Sequence, residues 1–349
     1  MDLSLGVFLG QIAAYPSLGI ILLLVVGVTI VSGATDAPNA IATAVSTRCL
    51  RPSTALILAA VFNFVGLVGM TYISTAVAHT MFSMVDFSGD THTALLALEA
   101  AMIGSIGWGF FCWFRGIPAS KSHSLIAGIT GAAIAMNGLA GVVPREWAKV
   151  IYGMLFSLIA GFALGWLCTK IIELVARPLK RRTANRIAMI FQDICACALS
   201  FLHGAQDGQK FMSTATIAVG LALGTKATAG GGYPLWLMFA CAIIMSVGTA
   251  VGGKKIIKTV GTQMVRLEKY QGAAASISAG ISLLLATFGG MPVSTTHTKT
   301  AAIMGAGAAK SAKHVDWGIA YDMVLTWVLT FPGCGLIGYV LAWVFLQLF

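Results

Sequence analysis

Charge is what this chain has least of. Only 10% of its 349 residues are Asp, Glu, Lys or Arg, against about 25% in an ordinary soluble domain. No charged residue falls between Leu18 and Ser32, or between Pro234 and Gly253. Runs of about 20 mostly apolar residues are long enough to cross a bilayer as helices. With 58% hydrophobic residues and a mean hydropathy of +0.87, the chain is neither a soluble globule nor disordered. It reads as an all-α polytopic protein of the plasma (inner) membrane, with the lipid bilayer as its first partner. Acid is the scarcer sign, 12 Asp and Glu against 22 Lys and Arg. In a membrane protein that excess belongs to cytoplasmic loops, so no nucleic-acid partner is expected. Catalytic signatures are missing too. No Gly-x-Ser-x-Gly elbow occurs, and Gly248–Lys255 resembles a phosphate loop only until Lys255 stands where Ser or Thr belongs. Neither an ATP site nor an enzyme nucleophile is expected. The 7 cysteines (49, 112, 168, 195, 197, 241 and 334) form no Cys-x-x-Cys pair, and most lie in apolar segments as small buried hydrophobes. No Lys or Arg precedes Arg48, so a cleaved signal peptide with a basic start is not expected.

Apolar segments fall near 17–47, 52–78, 94–115, 117–139, 147–176, 187–223, 234–252, 272–289, 291–309 and 318–349. Two basic loops, one with Arg177, Lys180, Arg181, Arg182 and Arg186, the other with Lys254, Lys255, Lys258, Arg266 and Lys269, should be cytoplasmic. Loops 79–93 and 224–233 should lie outside.

The chain repeats itself. Gly116–Ile117–Pro118–Ala119–Ser120–Lys121–Ser122–His123 is echoed 174 residues later by Gly290–Met291–Pro292–Val293–Ser294–Thr295–Thr296–His297. Upstream, Gly33–Ala34–Thr35–Asp36–Ala37–Pro38–Asn39 is echoed at an offset of 171 by Gly204–Ala205–Gln206–Asp207–Gly208–Gln209–Lys210. Two motifs recurring in one order at nearly one spacing divide the chain into a first transmembrane repeat at 1–176, a basic cytoplasmic linker at 177–186 and a second repeat at 187–349. Interrupted hydrophobic segments at matching places are a mark of secondary transporters. Counting gives four crossings and one short re-entrant segment per half, an even number. Either a fifth crossing is hidden or the repeats are parallel, because inverted repeats need an odd number.

Asp36 and Asp207 stand inside long apolar segments, where an uncompensated carboxylate costs several kcal/mol. Thr35, Asn39, Gln206 and Gln209 add side-chain oxygens nearby, and Pro38 and Gly208 favour unwinding that frees carbonyls. Carboxylate, amide and carbonyl oxygens make a site for a hard cation, with Asp36 and Asp207 as the metal ligands if the ion is Na⁺. Pro118 and Pro292 can open short helices. Ser120, Ser122, Ser294, Thr295 and Thr296 then bring hydroxyls to positive helix N-termini, which suits an oxyanion such as phosphate. The segments about 117–139 and 291–309 read as re-entrant hairpins. His123 and His297 close both clusters and could orient hydroxyls or relay protons. Lys210 either neutralises Asp207 or reaches the anion. Lys121 and Lys299 are further candidates unless they snorkel, while Glu99, Asp193, Asp322 and Arg115 are secondary.

At these residues the sequence resembles the inorganic phosphate transporter (PiT) family, whose members carry one Gly-Ala-Asn-Asp-type signature per half and Pro-Ser/Thr-rich hairpins. Here the signatures are Gly33–Ala40 and His203–Lys210. Thr35 and Gln206 replace the frequent Asn and keep a side-chain oxygen. The resemblance implies inverted repeats, two hairpins meeting at phosphate, a homodimer, and uptake coupled to Na⁺ or H⁺ with no other cofactor. It places the anion among Ser120, Ser122, Ser294, Thr295 and Thr296. Asp36, Asn39, Asp207 and Gln209 bind the cation or complete the site. The short chain, without room for a large central loop, points to a prokaryotic form. Because hydroxyls and N–H groups do not select phosphate strictly, a symporter of sulfate or another tetrahedral oxyanion is the alternative.

Overall fold

Prolines start helices here and small residues hold them together. The computed structural model describes residues 5–87, 90–115, 119–223, 233–251, 257 and 263–349. Within them the helices are α1 (Leu5–Ala14), α2 (Pro16–Thr35), α3 (Ala37–Ser46), α4 (Pro52–Ile73), α5 (Ala76–Ser83), α6 (Thr91–Arg115), α7 (Lys121–Asn137), α8 (Pro144–Ala176), α9 (Arg181–His203), α10 (Gln209–Ala222), α11 (Leu235–Val251), α12 (Lys269–Phe288), α13 (Thr295–Lys310) and α14 (Trp317–Leu348). Pro16, Pro52 and Pro144 each open one, where a missing N–H has no bond to lose. Pro118, Lys254, Lys255, Lys258, most of loop 224–233 and the end of the phosphate-loop look-alike lie outside the described residues.

Eight helical stretches among the described residues are long and apolar enough to cross a membrane. Their outer faces carry exposed Leu23, Ile57, Ile159, Leu174 and Leu336, a surface suited to lipid rather than water. The chain is an all-helical, multi-pass membrane protein. Three apolar segments are interrupted, two of them at the Asp36 and Asp207 motifs where unwinding is expected. The first breaks at Asp36 between α2 and α3. The 52–78 segment divides into α4 and α5, and α5 occupies the beginning of the expected 79–93 loop. The third runs from α9 through a π-helical turn at Gly204–Gly208 into α10.

Packing follows the sequence repeat. Gly33 of α2 lies against the backbone of α11 at Met245, and Gly204 lies in the same way against Asn63 of α4. Gly131 of α7 meets the Gly335 carbonyl of α14, and Gly305 of α13 meets the Phe162 carbonyl of α8. A side chain at any of the four would strike backbone, so these close approaches require glycine. Each short helix that follows a Ser/Thr motif therefore packs on the last long helix of the opposite half. Gly161 and Gly165, a small-residue pair on α8, are buried against α13 within the chain. Antiparallel bridges Val85–Val142 and Val265–Val315 close the far ends of the two units.

One end of the bundle is basic. Gln192 of α9 donates to Thr47 Oγ1 (2.7 Å) and to the Lys269 carbonyl (3.1 Å), drawing together the end of α3, the middle of α9 and the start of α12. Arg48 and Arg51 follow α3, Arg266 and Lys269 stand at the start of α12, and Lys180, Arg181, Arg182 and Arg186 gather at the start of α9, the basic clusters that the sequence expects on the cytoplasmic side.

Candidate functional site

The break at Asp36 follows from local chemistry. Its N–H still bonds the Ser32 carbonyl (2.8 Å), but Pro38 has no N–H with which to continue the ladder. The buried carboxylate accepts from Thr35 Oγ1 (3.1 Å) and from the backbone N–H of Lys121, the first residue of α7 (3.2 Å). An anion thus faces the positive end of a helix. Asp207 sits in the wider π turn, equally buried, with Lys210 and His203 beside it. Its Oδ1 accepts from Lys210 Nζ (2.9 Å) and Ser122 Oγ (3.0 Å), and its Oδ2 lies 3.2 Å from His203 Nε2.

A small network fixes that histidine. Thr249 Oγ1 donates to the Met245 carbonyl (2.9 Å) and accepts from Asn63 Nδ2 (2.9 Å), so Asn63 Oδ1 faces His203 Nδ1 (3.0 Å) as acceptor. His203 Nδ1 therefore carries a proton, and the Nε2 contact with Asp207 is attractive only if a second proton sits there. His203 stands four residues before Asp207, a spacing that puts both on one helix face. That spacing was visible in the sequence; Asn63 and Thr249, from distant helices, gave no such signal.

Two reciprocal bonds tie the broken helices to the opposite Ser/Thr motifs. Asn39 Nδ2 donates to Thr296 Oγ1 (2.9 Å). Its repeat partner Lys210 donates to Ser122 Oγ (2.8 Å) and also to the Val293 carbonyl (2.6 Å). Ser120 and Ser294 cap α7 and α13, each accepting from the N–H of the histidine three residues on (3.2 Å in both). Among the described residues both hydroxyl protons find no acceptor, nor does that of Thr296. The buried oxygens Asn39 Oδ1, Thr295 Oγ1 and Gln206 Oε1 have no hydrogen-bond partner among the described residues. Orphaned oxygens beside two carboxylates fit a hard cation, and hydroxyls on two helix starts fit an oxyanion.

Other expected residues go elsewhere. Gln206 Nε2 donates to Thr287 Oγ1 (2.9 Å) and the Met291 carbonyl (3.4 Å), bracing the approach to α13. The Gln209 amide holds α5, donating to the Ser74 carbonyl (2.6 Å) and accepting from Ala78 N–H (3.4 Å). His123 and His297 meet edge to face at 4.6 Å, backed by Phe331 and Trp327 of α14 at 4.9 and 4.1 Å. Their ring nitrogens have no hydrogen-bond partner among the described residues, so they pack the two helix starts together. Lys121 and Lys299 do not snorkel; both are buried. No hydrogen bond or ion pair among the described residues joins Glu99, Asp193, Asp322 or Arg115 to the cluster, and none of their His, Cys, Asp and Glu side chains group as a transition-metal site.

Comparison with known proteins supplies independent ground. Residues 32–338 match the sequence profile of the phosphate transporter family. A probable low-affinity inorganic phosphate transporter of Bacillus subtilis is 38% identical over 302 residues, covering 86% of this chain and 89% of the relative. One of the same description from Rhizobium meliloti is 34% identical, covering 88% and 90%. A solved structure described as a sodium-dependent phosphate transporter superposes with a TM-score of 0.85 at 21% identity, covering 96% of this chain and all of that one. It shares the fold.

Proposed function

Because the chain belongs to the phosphate transporter family, we propose that it imports inorganic phosphate across the plasma membrane, coupled to a Na⁺ gradient, by alternating access. One observation carries the reading. Two hydroxyl-bearing helix starts, 174 residues apart in sequence, converge on two buried aspartates through the Asn39–Thr296 and Lys210–Ser122 bonds.

In this reading the anion lies between the starts of α7 and α13, held by Ser120, Ser122, Ser294, Thr295 and Thr296. Asn39 and Lys210 approach from the broken helices. Asp36, with Thr35 and the Asn39 oxygen, binds the cation on one side. Asp207 and Gln206 stand on the other, where Lys210 already supplies positive charge. Lys210 therefore serves both as counter-charge to Asp207 and as an anion contact. Binding both ions brings opposite charges together in a low-dielectric interior, so each strengthens the other's binding, which is the physical basis of coupling. The halves 1–176 and 187–349, joined by 177–186, are inverted repeats. The short helices α7 and α13 are re-entrant, and at 16 residues α13 spans only about 24 Å of the roughly 30 Å hydrocarbon core. Two copies form the working dimer.

Family membership favours phosphate over sulfate. The test is radiolabelled phosphate uptake into proteoliposomes, under an inward Na⁺ gradient in one set and an inward H⁺ gradient in another, with sulfate as competitor. The expected result is saturable uptake driven by Na⁺ and indifferent to sulfate. Uptake driven only by H⁺ removes the sodium assignment, and no phosphate uptake under either gradient removes the substrate.

A further inference from the structure

One helical turn from the central site, towards the basic end, lies a buried cation that the scheme above does not use. Lys299 of α13 follows Thr296 by three residues, and Thr43 of α3 follows Asn39 by four, so both continue the pair that forms the Asn39–Thr296 bond. Lys299 Nζ donates to Thr43 Oγ1 (3.1 Å) and to Ser276 Oγ of α12 (2.8 Å), and these hydroxyls lie 2.9 Å apart. All three residues are at most 2% exposed. Lys299 joins no ion pair among the described residues. A buried ammonium whose only partners are neutral hydroxyls is costly.

The opposite side of the site is built differently. At the offsets that relate the two halves, Lys299 corresponds to Leu125, Ser276 to Met102 and Thr43 to Thr214. Leu125 and Met102 lie in an apolar core cluster. At these positions the repeat therefore supplies the backbone on both sides and a cation on one only; the buried Lys121 of the first half stands a turn earlier on α7 and faces Gly109 instead. That side leads to the end with Arg48, Arg51, Arg181 and Lys269, which positive charge marks as cytoplasmic.

We infer that Lys299, Thr43 and Ser276 form a transient second site for a tetrahedral oxyanion, a station between the central site and the cytoplasm. The inference rests on the reading of the central site as a phosphate site. In the structure described the three side chains hold one another and fasten α3, α12 and α13. When an anion leaves the central site on this side, the ammonium exchanges a hydroxyl partner for the anion, and the hydroxyls donate to it. The missing counter-charge is thus the cargo itself, and the contact that closes the path is undone by what passes through it.

Proteoliposome uptake and equilibrium phosphate binding, measured together on wild type, Lys299→Met and Lys299→Arg, test this. Lys299→Met should lower maximal uptake at least tenfold while changing the dissociation constant of the central site less than twofold, and Lys299→Arg should restore most of the rate. Wild-type uptake by Lys299→Met overturns the inference. So does joint loss of rate and central binding in a folded protein, which would make the lysine part of the central site. Should Lys299→Met not fold, the Thr43→Val/Ser276→Ala pair, which keeps the ammonium, should slow uptake threefold or more at unchanged affinity, and an unchanged rate overturns the inference. Failure of wild type itself to move phosphate would instead refute the central-site reading.

Discussion

Asp36 and Asp207 hold the same place in the repeat, yet they live in different electrostatic surroundings. Asp36 meets only neutral donors, a threonine hydroxyl and a helix-end N–H. Asp207 meets Lys210 and His203. Three residues beyond each aspartate, Asn39 and Lys210 reach across to equivalent hydroxyls. The backbone plan was duplicated and the charge was not. One half is left with a carboxylate that no cation hydrogen-bonds, which leaves it open to a mobile cation; the other carries its cation covalently in direct contact, which favours an anion nearby. A single symmetric scaffold can thus hold two ions of opposite sign.

Variants that break this contrast should be ordered by the charge they expose. Asp207→Ala strands the buried Lys210 ammonium; it should abolish uptake and lower unfolding stability by about 3–5 kcal/mol, read as a fall in thermal midpoint. Asp36→Asn should lose uptake at least as completely while shifting stability by no more than about 1 kcal/mol, since its donors are neutral. Equal destabilisation by the two variants would erase the difference between the halves. Lys210→Asn turns the second half into a copy of the first, and phosphate affinity should fall about tenfold, near 1.4 kcal/mol. A double-mutant cycle on Lys210 and Ser122 should then give a larger coupling than one on Asn39 and Thr296, about 2 against 1 kcal/mol. Gln209→Ala should matter least. Its amide secures α5, so uptake within about twofold of wild type is expected, and a tenfold loss would return it to the site.

The sequence made the plan legible because the repeat is written in residue types that membranes tolerate poorly. Asp36, Asp207 and the doubled Pro-x-Ser/Thr motifs stand out against apolar runs, and they meet in the structure. The direction in which each amide points was not legible. Gln206 and Gln209 have the same chemistry as Asn39 and sit in the same motifs, but Ser74 and Ala78 hold both ends of the Gln209 amide away from the site, while Thr287 and Met291 take only the Gln206 nitrogen and leave its oxygen unpaired among the described residues. Helix interruptions were equally hard to place. Pro38 announces the break at Asp36, whereas at the π turn of Gly204–Gly208 only Gly208 hints at unwinding, and nothing local to Lys299 reveals Ser276 on the neighbouring helix α12.

The central claim is that helix starts from both halves hold one anion between them. Equilibrium binding of radiolabelled phosphate in saturating Na⁺, at concentrations that fill only the tight site, tests it on wild type, Ser122→Ala and Thr296→Ala. The account predicts one tight site per chain, weakened by either substitution and weakened further by both. Two tight sites per chain, with each substitution removing one and sparing the other, would contradict it.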